Sequence, residues 1–117
     1  MQKRIQMLAS IALAAFAGCA AAQQYPAKPI TLMVPYAPGP TDTVARITAL
    51  AMAKPLGGQF VVENRPSNGG ILAPELVAKA APDGYTILIH HIGMATIPAL
   101  YRQPRFNPLT DFEYIGL

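Results

Sequence analysis

The stretch Ile30-Thr31-Leu32-Met33-Val34-Pro35-Tyr36, followed by Ala37-Pro38-Gly39-Pro40-Thr41-Asp42, decides the fold. Its first seven residues are apolar and partly β-branched, the signature of a strand buried on both faces, and the Pro and Gly residues after them end it in a tight turn. Val44, Ile47, Leu50 and Ala51 then recur at helical spacing, so a helix is predicted from about Thr41 until Pro55 and Gly57-Gly58 stop it. A buried strand feeding straight into a helix is the first half of a βαβ unit.

Working outward, Phe60-Val61-Val62-Glu63 reads as a second short strand, closed by the turn-forming run Asn64-Arg65-Pro66-Ser67-Asn68-Gly69-Gly70. A second helix is predicted over about Ile71 to Ala80, with Leu72, Leu76 and Ala80 on one face and Glu75 and Lys79 as an i,i+4 pair. Thr86-Ile87-Leu88-Ile89-His90 is the third strand. Apolar strands separated by helices imply a parallel α/β sheet with helices on both faces, and right-handed crossovers bring every strand exit to one edge. A short helix near Ala95 to Tyr101 follows, and Phe112 to Leu117 reads as the opening of another strand.

The chain has 117 residues, of which the first 22 have the pattern of a secretory leader: Lys3 and Arg4, an apolar run from Met7 to Ala17, and Ala20-Ala21-Ala22 before Gln23. The apolar run is far shorter than the roughly 20 residues of a membrane span. Cleavage before Gln23 is expected; Phe16-Ala17-Gly18-Cys19 offers the alternative of a lipoprotein anchored at Cys19. Setting Lys3 and Arg4 aside leaves seven basic and six acidic side chains, a balance that speaks against a nucleic-acid partner. One cysteine permits neither an internal disulfide nor a Cys-based zinc site. No G-x-S-x-G, P-loop or G-x-G-x-x-G motif occurs, so the sequence offers no catalytic set and no cofactor site.

The exit loops carry the candidate chemistry. Tyr36 to Asp42 leads into a helix whose first amides lack intrahelical partners and so attract anions; Gly39 permits close approach and Thr41 adds a hydroxyl. The plainer reading is that Thr41 or Asp42 caps its own helix. Ser67, Asn68, Gly69 and Gly70 repeat the arrangement before the second helix, with a simple turn and a capping Asn as the alternative. His90 and His91 end the third strand, where neighbouring side chains point to opposite faces, so a shared metal is not expected.

Taken together, Tyr25-Pro26-Ala27-Lys28-Pro29-Ile30, Val34-Pro35-Tyr36-Ala37-Pro38-Gly39, Thr41-Asp42, Ala45-Arg46, Val61-Val62-Glu63-Asn64-Arg65-Pro66, Gly69-Gly70 and Ala78-Lys79-Ala80-Ala81-Pro82-Asp83-Gly84-Tyr85-Thr86 resemble the Bug family. These are the extracytoplasmic solute-binding receptors of tripartite tricarboxylate transporters. Pro98-Ala99-Leu100-Tyr101 and Asp111-Phe112-Glu113-Tyr114-Ile115-Gly116-Leu117 extend the match.

The resemblance implies a periplasmic, two-lobed (type II) binding protein that closes on a small carboxylate and delivers it to membrane subunits, without catalysis, cofactor or metal. It implies residues 1–22 as signal peptide and 23–117 as the first lobe, with the second lobe missing. It places the ligand at Tyr36, Gly39, Thr41 and Asp42, at Ser67, Asn68, Gly69 and Gly70, and at His90 and His91. Two departures accompany it: Gly39 is followed by Pro40 where many relatives have a second glycine, and His90-His91 stands where many have small hydroxyl residues. The competing expectations are a small lipid-anchored interaction protein, a remnant without function, and a periplasmic hydrolase using His90 or His91.

Overall fold

A computed structural model describes residues 24–116. The leader reading, with Ala20-Ala21-Ala22 and Cys19, lies outside them, as does Leu117. The elements in chain order are β1 (Ile30–Val34), α1 (Pro40–Leu56), β2 (Phe60–Asn64), a single 3-10 turn (Asn68–Gly70), α2 (Leu72–Ala78), β3 (Thr86–Leu88) and α3 (Gly93–Leu100).

The strands form one parallel sheet in the order β2-β1-β3. Ile30 pairs with Phe60 and Val34 with Asn64, while Thr31 pairs with Thr86 and Met33 with Leu88. The crossover from β1 to β2 runs one way along the sheet and that from β2 to β3 runs back past β1. Right-handed crossovers in opposite directions put α1 and α2 on opposite faces. The central strand is therefore covered on both sides, and Ile30, Leu32, Met33 and Val34 are all buried, with Thr31 half-buried between them.

On the α1 face, Leu32 and Val34 pack with Ala45 and Ala49, and Phe60, Val62, Ile87 and Ile89 close around them. Burying a branched aliphatic side chain such as Leu32 or Val34 contributes roughly 1.5–3 kcal/mol.

The helix turns a different face to the sheet than its large apolar residues suggest. Asp42, Ala45 and Ala49 are buried, whereas Val44, Ile47 and Leu50 are 54%, 63% and 77% exposed. Small side chains let the helix axis lie close to β1, a spacing that the larger residues would forbid. Pro40 occupies the first helical position, and Gly57, with φ +64°, ends the helix, its amide donating to the Lys54 carbonyl.

Other expectations need correction. The second helix begins at Leu72 and stops at Ala78, so Lys79 lies beyond it and forms no ion pair with Glu75. Its buried residues are Ala73 and Pro74, while Leu72 and Leu76 are 38% and 40% exposed. β3 ends at Leu88, although the Ile89 amide still donates to the Met33 carbonyl. Residues 112–116 form no strand; Phe112 packs edge-on against the buried Phe106, ring centroids 5.7 Å apart. Among the described residues no helix is long and apolar enough to cross a membrane.

Candidate functional site

All three parallel strands send their exit loops to one edge of the sheet. Because the chain reverses direction around β1, the gap between the exits of β1 and β3 is a topological switch point, where open parallel sheets place ligands. Tyr36 follows β1 and His90-His91 follow β3, so these residues flank that gap.

The first loop ends in an uncapped helix. Gly39 is the N-cap residue and no side chain caps the helix. Pro40 has no N–H, and the Thr43 amide already donates to the Gly39 carbonyl, as does the Thr43 hydroxyl. The amides of Thr41 and Asp42 are thus the donors left without an intrahelical carbonyl. The capping role open to Thr41 or Asp42 is filled by neither. Gly39 has φ 173°, extended backbone that other residues also adopt, and a side chain there would meet only the Ala37 carbonyl at 3.7 Å.

The Asp42 side chain is engaged within its own helix. It is buried and accepts two hydrogen bonds from the Arg46 guanidinium, at 2.9 and 3.0 Å. Those bonds, with the Asn64 amide adding to them, hold its carboxyl below the usual carboxylate range against the opposing effect of burial. Asn64 also donates to the Tyr36 carbonyl at 2.9 Å, and the Arg65 amide donates to the Val34 carbonyl. The start of α1 and the exit of β1 are therefore fastened to the end of β2. Sequence reasoning passed over Asn64, whose one signal was a carboxamide at a strand end.

The second loop is shaped by two glycines. Gly69 and Gly70 have φ of +68° and +70°. A side chain on Gly70 would lie 2.8 Å from the Tyr36 ring, and one on Gly69 only 1.7 Å from the Tyr101 hydroxyl. Ser67, not Asn68, supplies the cap: its hydroxyl accepts from the Leu72 amide at 3.0 Å, and its carbonyl accepts from the Gly70 amide. The Tyr101 hydroxyl donates to the Asn68 carbonyl at 3.3 Å. Tyr101 is the other residue that sequence reasoning missed.

The histidines lie past the end of β3, so strand alternation does not separate them. Their rings are 5.2 Å apart, and Tyr36 meets both, stacked on His91 at 4.8 Å with an interplanar angle of 2° and edge-on to His90 at 5.7 Å. His90 Nδ1 accepts from the His91 amide at 2.9 Å and also lies 3.2 Å from the His91 carbonyl oxygen, while His91 Nδ1 accepts from the Gly93 amide at 3.0 Å. A ring nitrogen that accepts carries no proton, so His91 is set as the Nε2–H tautomer, and for His90 the shorter contact, to the His91 amide, favours the same form over donation to the His91 carbonyl. His90 Nε2 then donates to the Gly70 carbonyl at 3.4 Å. Burial pushes the His90 pKa down, and burial together with the nearby Tyr101 pushes the Tyr36 phenol up. Among the described residues no three His, Cys, Asp or Glu side chains gather as metal ligands.

Of the ten residues singled out from sequence, Tyr36, Gly70, His90 and His91 thus come together in direct contact, Gly39, Thr41 and the Asp42 amide form the helix entrance, Ser67, Asn68 and Gly69 build the second loop, and the Asp42 carboxylate is held by Arg46. An uncapped helix start and a glycine loop thus converge on the carboxyl edge of an open parallel sheet.

Comparison with known proteins identifies the family. The family model described as "Tripartite tricarboxylate transporter family receptor" matches residues 44–117, and the chain belongs to that family, whose members are receptors rather than enzymes. A UPF0065 protein of Agrobacterium vitis is 51% identical over 98 residues, covering 83% of this chain and 28% of the relative. Protein BugT of Bordetella pertussis is 38% identical over 97 residues, covering 77% and 30%. The structure of the periplasmic binding protein BugD superposes with a TM-score of 0.76 at 48% identity, over 79% of this chain and 31% of that one. MatC from Rhodopseudomonas palustris, solved with bound malate, gives 0.72 at 42% identity, over 75% and 31%. A third structure, R. palustris Rpa4515 with adipate, gives 0.69 at 36% identity, over 74% and 29%. The chain spans about a third of the length of the relatives it matches.

Proposed function

We propose that residues 23–117 form the first lobe of a periplasmic receptor that binds a small carboxylate at the carboxyl edge of its sheet and delivers it to the membrane subunits of a tripartite tricarboxylate transporter. Residues 1–22 serve as the export signal and are cleaved before Gln23. The observation that carries this reading is the uncapped start of α1 at the exit of β1, where the Thr41 and Asp42 amides and the Thr41 hydroxyl offer donors to an anion. Malate and adipate, bound by two structural relatives, supply the ligand class.

One lobe covers about one side of a ligand that a complete pocket would enclose by roughly 70–90%, so this chain binds weakly, in the millimolar range. The test is a titration of the 95-residue form starting at Gln23 with malate and adipate, followed by calorimetry or amide chemical shifts. Thr41→Leu removes the hydroxyl and crowds the helix entrance, and weakens binding by about 1–3 kcal/mol, the scale of a hydrogen bond to a charged group. Unchanged affinity in that variant, or no saturable response in the parent chain, would refute the assignment. An N-terminal mass retaining Met1, or a diacylglyceryl group on Cys19, would refute the export reading.

A further inference from the structure

We infer that Tyr101 and His90 are positioning residues that tie back the carbonyl oxygens of the second exit loop, so that the Gly69 amide is the donor this loop offers to a bound carboxylate. This rests on the carboxylate-receptor reading and assigns its second contact.

A loop can meet an anion with its amides only if its carbonyl oxygens are turned elsewhere, because those oxygens repel negative charge. In Asn68–Gly70 two side chains from other elements do the turning. The Tyr101 hydroxyl, just past α3, donates to the Asn68 carbonyl at 3.3 Å, and His90 Nε2, past β3, donates to the Gly70 carbonyl at 3.4 Å. Both bonds are at the long end of the hydrogen-bond range, but packing reinforces them. Gly69 lies against the Tyr101 hydroxyl and Gly70 against the Tyr36 ring, each so closely that no Cβ fits.

The peptide unit is planar and trans, so its N–H points opposite to its C=O. With the Asn68 carbonyl held toward Tyr101, the Gly69 N–H faces the other way. The neighbouring Gly70 amide is already spent on the Ser67 carbonyl, and the Leu72 amide on the Ser67 hydroxyl. His90 acts in this way in the tautomer whose Nδ1 accepts from the His91 amide at 2.9 Å, nearer than the His91 carbonyl at 3.2 Å, which leaves the proton on Nε2.

The experiment uses the 15N-labelled chain, titrated with sodium malate against sodium chloride of equal ionic strength, reading amide shifts at Gly69, Thr41 and Asp42. The wild type shows a saturable shift at Gly69. Tyr101→Phe, which removes one oxygen and keeps the ring, raises the apparent Kd about three- to tenfold, as does His90→Ala. His90→Gln, which keeps a donor near the Nε2 position, restores the affinity to within about twofold of wild type. A residue that only stabilised the fold would lower the melting temperature without this pattern of loss and rescue.

Unchanged Kd in both Tyr101→Phe and His90→Ala, or shifts at Thr41 and Asp42 with none at Gly69, would overturn the proposal and leave the receptor reading standing. The absence of any saturable shift in the wild type would overturn both.

Discussion

The loop after β1 and the loop after β2 both carry small polar residues to the same sheet edge, yet they are held there by different means. The first is held from inside: the buried Asp42 grips Arg46, Asn64 reaches back to the Tyr36 carbonyl, and Gly39 does nothing that a larger residue could not do. The second is held from outside, by Tyr36, Tyr101 and His90 pressing on two glycines with positive φ. A loop fastened by its own helix leaves the helix amides open, whereas a loop wedged between aromatic rings depends on having no side chain at all.

The largest expected effect follows from that contrast. Gly70→Ala combines a left-handed backbone with a Cβ 2.8 Å from the Tyr36 ring, and destabilises the fold by about 2–4 kcal/mol in urea unfolding. An effect below 1 kcal/mol would show that the Tyr36 contact is not a tight one. Ser67→Ala removes the hydroxyl that caps the Leu72 amide and costs about 1 kcal/mol by the same measurement. Gly39→Ala in the first loop lies near zero, within about 0.5 kcal/mol. A large loss there would mean that the two loops are built alike.

The loops also differ in what acid does to them. The Asp42 carboxyl has a depressed pKa because Arg46 stabilises its charged form. Its contribution is therefore present above the unfolded carboxyl pKa and lost as pH falls through the lower folded value. His90 is depressed for the opposite reason, since burial disfavours its charged form. Its contribution is present above the unfolded imidazole pKa of about 6.5 and declines as pH falls below that, toward the folded value. Unfolding measured against pH should show a loss beginning near pH 6.5 that His90→Gln abolishes, and a second loss at carboxylate pH that Asp42→Asn abolishes. An imidazole titration of His90 at or above 6.5 would contradict the first.

The βαβ order, the parallel sheet and the placing of all three exit loops on one edge were legible in the sequence, because they follow from local apolar runs and from turn residues. What escaped reading depended on distance in space. The periodic residues Val44, Ile47 and Leu50 suggested one face for α1, but close approach to β1 selected Ala45 and Ala49. Two residues taken as one strand end, His90 and His91, lie beyond β3 and face Tyr36 together, because β3 stops at Leu88. The resemblance places Asp42 among the ligand residues, and Arg46, one helical turn on, closes on its carboxylate. Tyr101 carried no local signal: its partner, Asn68, is 33 residues away.

The opposite edge of the sheet provides the control for the functional assignment. There Lys28 sits 4.4 Å over the Tyr85 ring and 3.6 Å from Asp83, a cation that could itself attract an anion. A crystal structure of the chain with malate separates the two edges. A malate carboxylate is expected within hydrogen-bond distance of the Thr41 or Asp42 amide, beside Tyr36. A carboxylate bound instead at Lys28, with the α1 entrance empty, would contradict it.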